Sequence, residues 1–206
     1  MKISKDPWDC GYDLFRKSDI CFNPELTVLV GCNGSGKTTL LRLIKEKLEE
    51  SDVPMIYFNN LEDGGESAKA RAGLRQDFTF LATAMCSSEG ENIMMNITDI
   101  AEKIGRLIKN NQEAAEIWIL FDAIDSGFSV DNIIELKEFL ENVVIKENQD
   151  KNIYIIASAN EYELCRGEQC FDVYNGEYVT FKDYEDYRNF ILESRKLKDK
   201  RATNET

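Results

Sequence analysis

The sequence predicts an α/β domain with a mainly parallel core sheet, an antiparallel edge and a small helical lobe. Three observations carry this. A short apolar run, Leu26–Val30, leads into a glycine-rich loop and then into apolar residues at helical spacing from Thr39 to Leu48, the order strand, loop, helix of a parallel unit. Further apolar runs at Met55–Phe58, Glu116–Asp122 and Asn152–Ser158 supply buried strands. Asn175-Gly176, set between two β-rich stretches, is a hairpin signal and gives the antiparallel edge.

The length of 206 residues fits one domain, 1–206, able to bury a core without disulfides or structural metal. The formal charge of −13 opposes non-specific attraction to nucleic acid or to an anionic membrane over most of the surface. No apolar run approaches the roughly 20 residues of a membrane span, and the N-terminus lacks the apolar core of a signal peptide. A cytoplasmic chain with reduced thiols is expected: the six cysteines form no C-x-x-C pair, and with no histidine a zinc site would need four of them to converge.

Residues 1–25 carry aromatics among polar residues and read as strands at a sheet edge, with Tyr12 a candidate to stack on a base. Gly31 to Thr38 then fits the pattern G-x-x-x-x-G-K-S/T without a gap. Such a loop turns successive N–H groups inward around phosphates, and the following helix N-terminus adds partial positive charge. Asn33, Gly34, Ser35, Gly36, Lys37, Thr38 and Thr39 are therefore candidates to bind a nucleoside triphosphate. Lys37 is expected at the β- and γ-phosphates and Thr38 on Mg²⁺.

After the strand at Met55–Phe58, residues 66–85 and 93–108 show helical spacing and form the lobe, about residues 60–110; Gln76 within it is a candidate to face the metal. Ser87 or Ser88 with Glu91 resembles a helix-capping arrangement, and Ser88 with Gly90 is a candidate second phosphate site. The run ending in Asp122 places a carboxylate where an indirect Mg²⁺ ligand is expected. Asp131 is the expected cap of a helix running to about Val144, and the strand at Asn152–Ser158 is followed by a short helical turn. The hairpin and a charged amphipathic helix close the chain over about residues 170–200. Arg195-Lys-Leu-Lys-Asp-Lys-Arg201 is its one dense basic cluster, the only local patch suited to nucleic acid.

Four elements in this order, Gly31–Thr38, Ser88–Glu91, Ile117–Asp122 and Asp125–Ser129, resemble the Walker A, signature, Walker B and D-loop motifs of ABC-type ATPases. The likeness spans about residues 25–175, and its wording is nearer to the SMC/RecF-like and stand-alone AAA-family ATPases than to transporter domains. The resemblance implies ATP and Mg²⁺ as cofactors and a homodimer closed head to tail around ATP. In it Ser88 and Gly90 would touch the γ-phosphate held by the other copy's Lys37 and Thr38, and hydrolysis would be the reset, acting on a protein partner outside this chain.

Two positions depart from that pattern. Ala123 follows Asp122 where the resemblance calls for a catalytic glutamate, so hydrolysis is expected to be impaired. Ala159 stands at the switch-histidine position, with Asn160 and Glu161 beside it. Two origins fit Ala123, a natural pseudo-ATPase or a substitution introduced to trap ATP, and the otherwise well-formed motifs favour the second. Two rival functions use the same loop: a non-hydrolysing nucleotide-dependent scaffold or switch subunit, and a small-molecule kinase, which would need an arginine lid from Arg71 and Arg75.

Overall fold

The computed structural model describes residues 1–9, 11–59, 89–125 and 129–203. In chain order its elements are β1 (Glu25–Val30), α1 (Lys37–Glu50), β2 (Met55–Asn59), α2 (Glu89–Asn110), β3 (Glu116–Asp122) and α3 (Val130–Phe139). They continue with β4 (Asn152–Ser158), the one-turn α4 (Tyr162–Cys165), β5 (Gln169–Asp172), β6 (Glu177–Val179) and α5 (Tyr184–Thr203). The helix begun by α3 runs on through a π-helical segment, Leu140–Ile145, and a 3₁₀ turn, Lys146–Asn148.

The six strands form one sheet in the order β2-β3-β4-β1-β5-β6, parallel except for the β5–β6 pair. Side chains alternate between its faces. Val28, Val30, Ile119, Phe121, Ile155 and Ala157 pack on the face covered by α2 and α3. Leu29, Trp118, Leu120, Ile156 and Phe171 pack on the other, against Leu40, Leu41 and Ile44 of α1 and against Phe15 of the N-terminal segment. With both faces covered, the central strands are almost wholly apolar, which is why they stand out as continuous runs rather than as alternating patterns.

Three expectations change. Residues 1–9 and 11–24 form no strand; they carry only an isolated bridge between Lys2 and Asp19. Asp6-Pro7, Asp9 and Gly11 break any two-residue alternation, and Asp9 and Gly11 take positive φ of 54° and 84°. The segment packs as a coil through Ile3, Leu14, Phe15 and Ile20. Asp131 lies in the first turn of α3, and the N-cap is Ser129. The hairpin joins β5 to β6 through a loop longer than two residues. Asp172 organises it, its carboxylate accepting from Tyr174 N–H, Asn175 N–H and the Asn175 side chain at 3.0, 3.3 and 2.7 Å. Residues 66–85, with Gln76, Arg71 and Arg75, lie outside the described residues. No helix among those described is long and apolar enough to cross a membrane.

Ile155 is fully buried at the middle of β4. Ile155→Ala should cost about 2–5 kcal/mol through lost burial and the cavity left behind, read as a lower urea midpoint at unchanged slope.

Candidate functional site

Because the strands are parallel and nearly in register, their C-terminal ends present a row of polar residues after apolar runs. Asn59 pairs with Asp122, Phe121 with Ala157, Leu29 with Ser158 and Val30 with Asp172. The loop from Gly31 to Gly36 starts from this edge and α1 follows it. Gly36 takes φ +99°, and a Cβ there would stand 3.0 Å from the Phe15 ring and 3.1 Å from Leu14. Both the backbone and the space select glycine there.

Within the loop the Ser35 N–H donates to the Cys32 carbonyl at 3.1 Å, while the buried Ser35 hydroxyl has no hydrogen-bond partner among the described residues. Lys37 folds back, its Nζ donating to the carbonyls of Gly31 and Cys32 at 2.7 and 3.4 Å. Burial pushes its pKa below the usual lysine value, against the carboxylates of Asp125 and Asp122, which favour the charged form.

Asp122, itself buried, accepts three hydroxyls from three elements. Thr38 Oγ1 and Ser158 Oγ donate to its Oδ1 at 3.0 and 2.7 Å, and Tyr57 OH donates to its Oδ2 at 3.3 Å. Burial, and then the charge of Asp122, push the Tyr57 phenol up to about 12. Ser158 also accepts the Ala123 N–H at 2.8 Å. Ala123 has φ +54°, a left-handed conformation for a residue with a Cβ, and is fixed at the sheet edge by that bond.

One layer further out, the buried carboxylate of Asp125 accepts the N–H groups of Asn160 and Glu161, both at 2.6 Å, through Oδ2; its Oδ1 has no partner among the described residues. Tyr187 of α5 donates to the Asn160 carbonyl at 2.8 Å. The turn after β4 is therefore gripped from two sides. It buries Ala159 in the core and brings Asn160 to the site.

These groups surround a cavity of about 390 Å³. It is lined by the loop residues Asn33–Thr39, by Trp8, Tyr12 and Leu14 of the N-terminal segment, and by Asp122, Ala123, Ser158 and Asn160 at the strand ends, its floor. Trp8 and Tyr12 are both exposed at its mouth, 56% and 39%. A roomier cleft of about 600 Å³ lies at the other end of the strands, beside Glu25, Glu141 and Gln169, and shares none of these groups. Among the expected site residues, Tyr12, Asn33–Thr39, Asp122 and Ala123 meet in the smaller cavity. Ala159 lies beneath it, and Gly90 is in the first turn of α2. Ser88 and Gln76 lie outside the described residues.

A family model described as an ATPase domain predominantly from Archaea matches residues 22–205. The chain belongs to this family. No curated protein matches the chain. It is thus a P-loop ATPase domain, and Gly31 to Thr38 is the segment that fits the phosphate-loop pattern.

A divalent cation fits the donors on the floor of this ATPase domain. Mg²⁺ takes oxygen ligands and uses few carboxylates beside phosphate and water. Among the described residues no three Cys, Asp or Glu side chains converge on a metal-sized site, but Asp122 and Thr38 set a carboxylate and a hydroxyl 3.0 Å apart.

Sequence reasoning missed Ser158, Tyr57 and the grip of Asp125 on the β4 turn. Ser158 was legible as a hydroxyl ending an apolar strand, by the same logic that singles out Asp122. Tyr57 has no such signal, and Asp125 stands out only as the first residue of the D-loop-like run. Asp125→Ala would leave two backbone N–H groups without an acceptor. It should cost about 1–3 kcal/mol and speed amide hydrogen exchange at Asn160 and Glu161 above that of the β4 core.

Proposed function

We propose that this domain is an ATP-operated switch whose hydrolysis is slow. It takes Mg-ATP into the cavity beside the phosphate loop, closes head to tail with a second copy of itself, and acts on a protein partner outside this chain. The observation that carries the reading is the floor of the cavity. Asp122 is the sole carboxylate among its described lining residues, it already accepts three hydroxyls, and Ala123 occupies the next position. Among the described lining residues no second carboxylate stands beside Asp122 to take a proton from an attacking water.

In this reading Lys37 exchanges the carbonyls of Gly31 and Cys32 for the β- and γ-phosphates, a gain because an ammonium on phosphate makes charge-assisted bonds. The backbone N–H groups of Gly34 and of Gly36 to Thr39, with the Ser35 hydroxyl, cradle the phosphates. Thr38 and Asp122 would hold Mg²⁺, which when bound neutralises charge on the phosphates. Trp8 and Tyr12 offer flat rings at the mouth for the base. Asn160, held by Asp125 and Tyr187, presents its side chain at the switch position that Ala159 leaves empty. The head-to-tail closure rests on the likeness of Ser88–Glu91 and Asp125–Ser129 to signature and D-loop motifs; Ser88 and Gly90 of the second copy would approach the γ-phosphate.

Lys37→Ala should abolish ATP binding in a titration with a fluorescent analogue, since it removes the loop's full positive charge. Ala123→Glu should raise ATP turnover by about 10²- to 10⁴-fold, the usual contribution of a positioned general base, with ATP affinity nearly unchanged. Light scattering after size exclusion should show a dimer with Mg-ATP and a monomer without it. A monomer under both conditions would remove the head-to-tail closure and leave the ATPase domain.

A further inference from the structure

α5 lies along the outside of the phosphate loop and touches it with the face formed by residues 194, 198 and 201. Ser194 Oγ accepts the Cys32 N–H at 3.1 Å, and one turn later Lys198 Nζ donates to the Asn33 carbonyl at 3.1 Å. Arg201 lies 3.8 Å from the centroid of the Tyr174 ring and donates to the carbonyls of Asp13 and Leu14 at 3.4 and 3.3 Å. The spacing i, i+4, i+7 is one stripe of a helix, so a single face of α5 holds the phosphate loop and the N-terminal wall of the same cavity. Neighbouring cations of this helix are occupied elsewhere, Lys196 with Glu193 at 2.6 Å and Arg195 with Asp199 at 3.9 Å.

We propose that Lys198 is a positioning residue for the phosphate loop, one that sets the Asn33–Gly34 peptide for a polyphosphate. The inference rests on the nucleotide reading above. In a trans peptide the C=O and the following N–H point in opposite directions. With the Asn33 carbonyl held against α5, the Gly34 N–H is directed away from the helix, on the side of the cavity that both residues line. An ammonium on the carbonyl also polarises the peptide and strengthens that N–H as a donor. Gly34 is selected here by its φ of +76°, and Lys198 Nζ lies 3.3 Å from where a Cβ would stand, so the ammonium rests directly against this peptide. A loop that turns its N–H groups inward must turn carbonyls outward, and these need donors of their own; Lys198 supplies one with a full charge.

The test compares the full chain with Lys198→Gln, Lys198→Arg and Lys196→Gln, titrating MgATP and AMP. Lys198→Gln should weaken MgATP binding by about tenfold, the scale of one charge-assisted bond, and change AMP binding far less, because AMP lacks the β- and γ-phosphates. Lys198→Arg should restore most of the loss, and Lys196→Gln should match the parent chain. The thermal midpoint without nucleotide separates positioning from unfolding, and should differ little between Lys198→Gln and Lys196→Gln. Undiminished MgATP affinity in Lys198→Gln, or an equal loss for MgATP and AMP, overturns the proposal while leaving the nucleotide site intact. A parent chain that binds no MgATP overturns the nucleotide reading and this inference with it.

Discussion

The carboxylate of Asp122 joins four parts of the chain: its own strand β3, the first turn of α1 through Thr38, β2 through Tyr57 and β4 through Ser158. A buried carboxylate is costly unless its lone pairs are filled, and here three hydroxyls fill them. The cost of losing any one donor ties the register of the central strands to the position of the phosphate loop. The strand order makes this possible. Because β4 lies beside β3, Ser158 reaches both the Asp122 carboxylate and the Ala123 N–H at the end of that strand. The floor of the cavity is therefore assembled by the fold before any cation or phosphate arrives.

A second ring of contacts encloses the first. Asp125 and Tyr187 fix the turn after β4 from opposite sides, and α5 continues past Tyr187 to reach the phosphate loop with Ser194 and Lys198. One helix thus touches the turn that carries Asn160, the loop that carries Lys37 and, through Arg201, the segment that carries Tyr12. Packing of α5 and the geometry of the cavity are not independent, since a shift of the helix along its axis would strain all three contacts together.

Much of this was readable in the chain. The strands and the phosphate loop are legible because burial on both faces of a parallel sheet demands unbroken apolar runs, and because a phosphate cradle demands glycine at fixed spacing. Val30 and Gly31 show both features in adjacent residues. The N-terminal segment was misread because its aromatics suggest a strand while Pro7, Asp9 and Gly11 impose turns, and the turns win where no neighbouring strand supplies a ladder. The hairpin loop was read from Asn175-Gly176, yet Asp172 organises it through side-chain bonds that compete with the tighter turn. Tyr57 and Lys198 act across long sequence separations, as does the grip of Asp125 on the β4 turn, and nothing in their own neighbourhoods marks these contacts. Lys198 in particular sits in a run of cations that local reading assigns to solvent or to nucleic acid.

The charge of the chain gives that last residue its meaning. With a formal charge of −13, the long-range field opposes the approach of a nucleotide, but beyond about 8 Å physiological salt screens most of it. Capture must then be decided at short range, by groups already desolvated and aimed at the phosphates. Lys37 is half-buried and held on the loop's own carbonyls, so its charge is concentrated at the loop rather than spread into solvent. Lys198 acts from behind, through a peptide dipole rather than by contact. A loop supported in this way needs little reorganisation when phosphate enters, and a preorganised dipole in a partly dehydrated site is worth more than a mobile charge in water. An acidic protein can therefore hold a polyanion with few cations, provided that its backbone is fixed in the orientation that the anion requires.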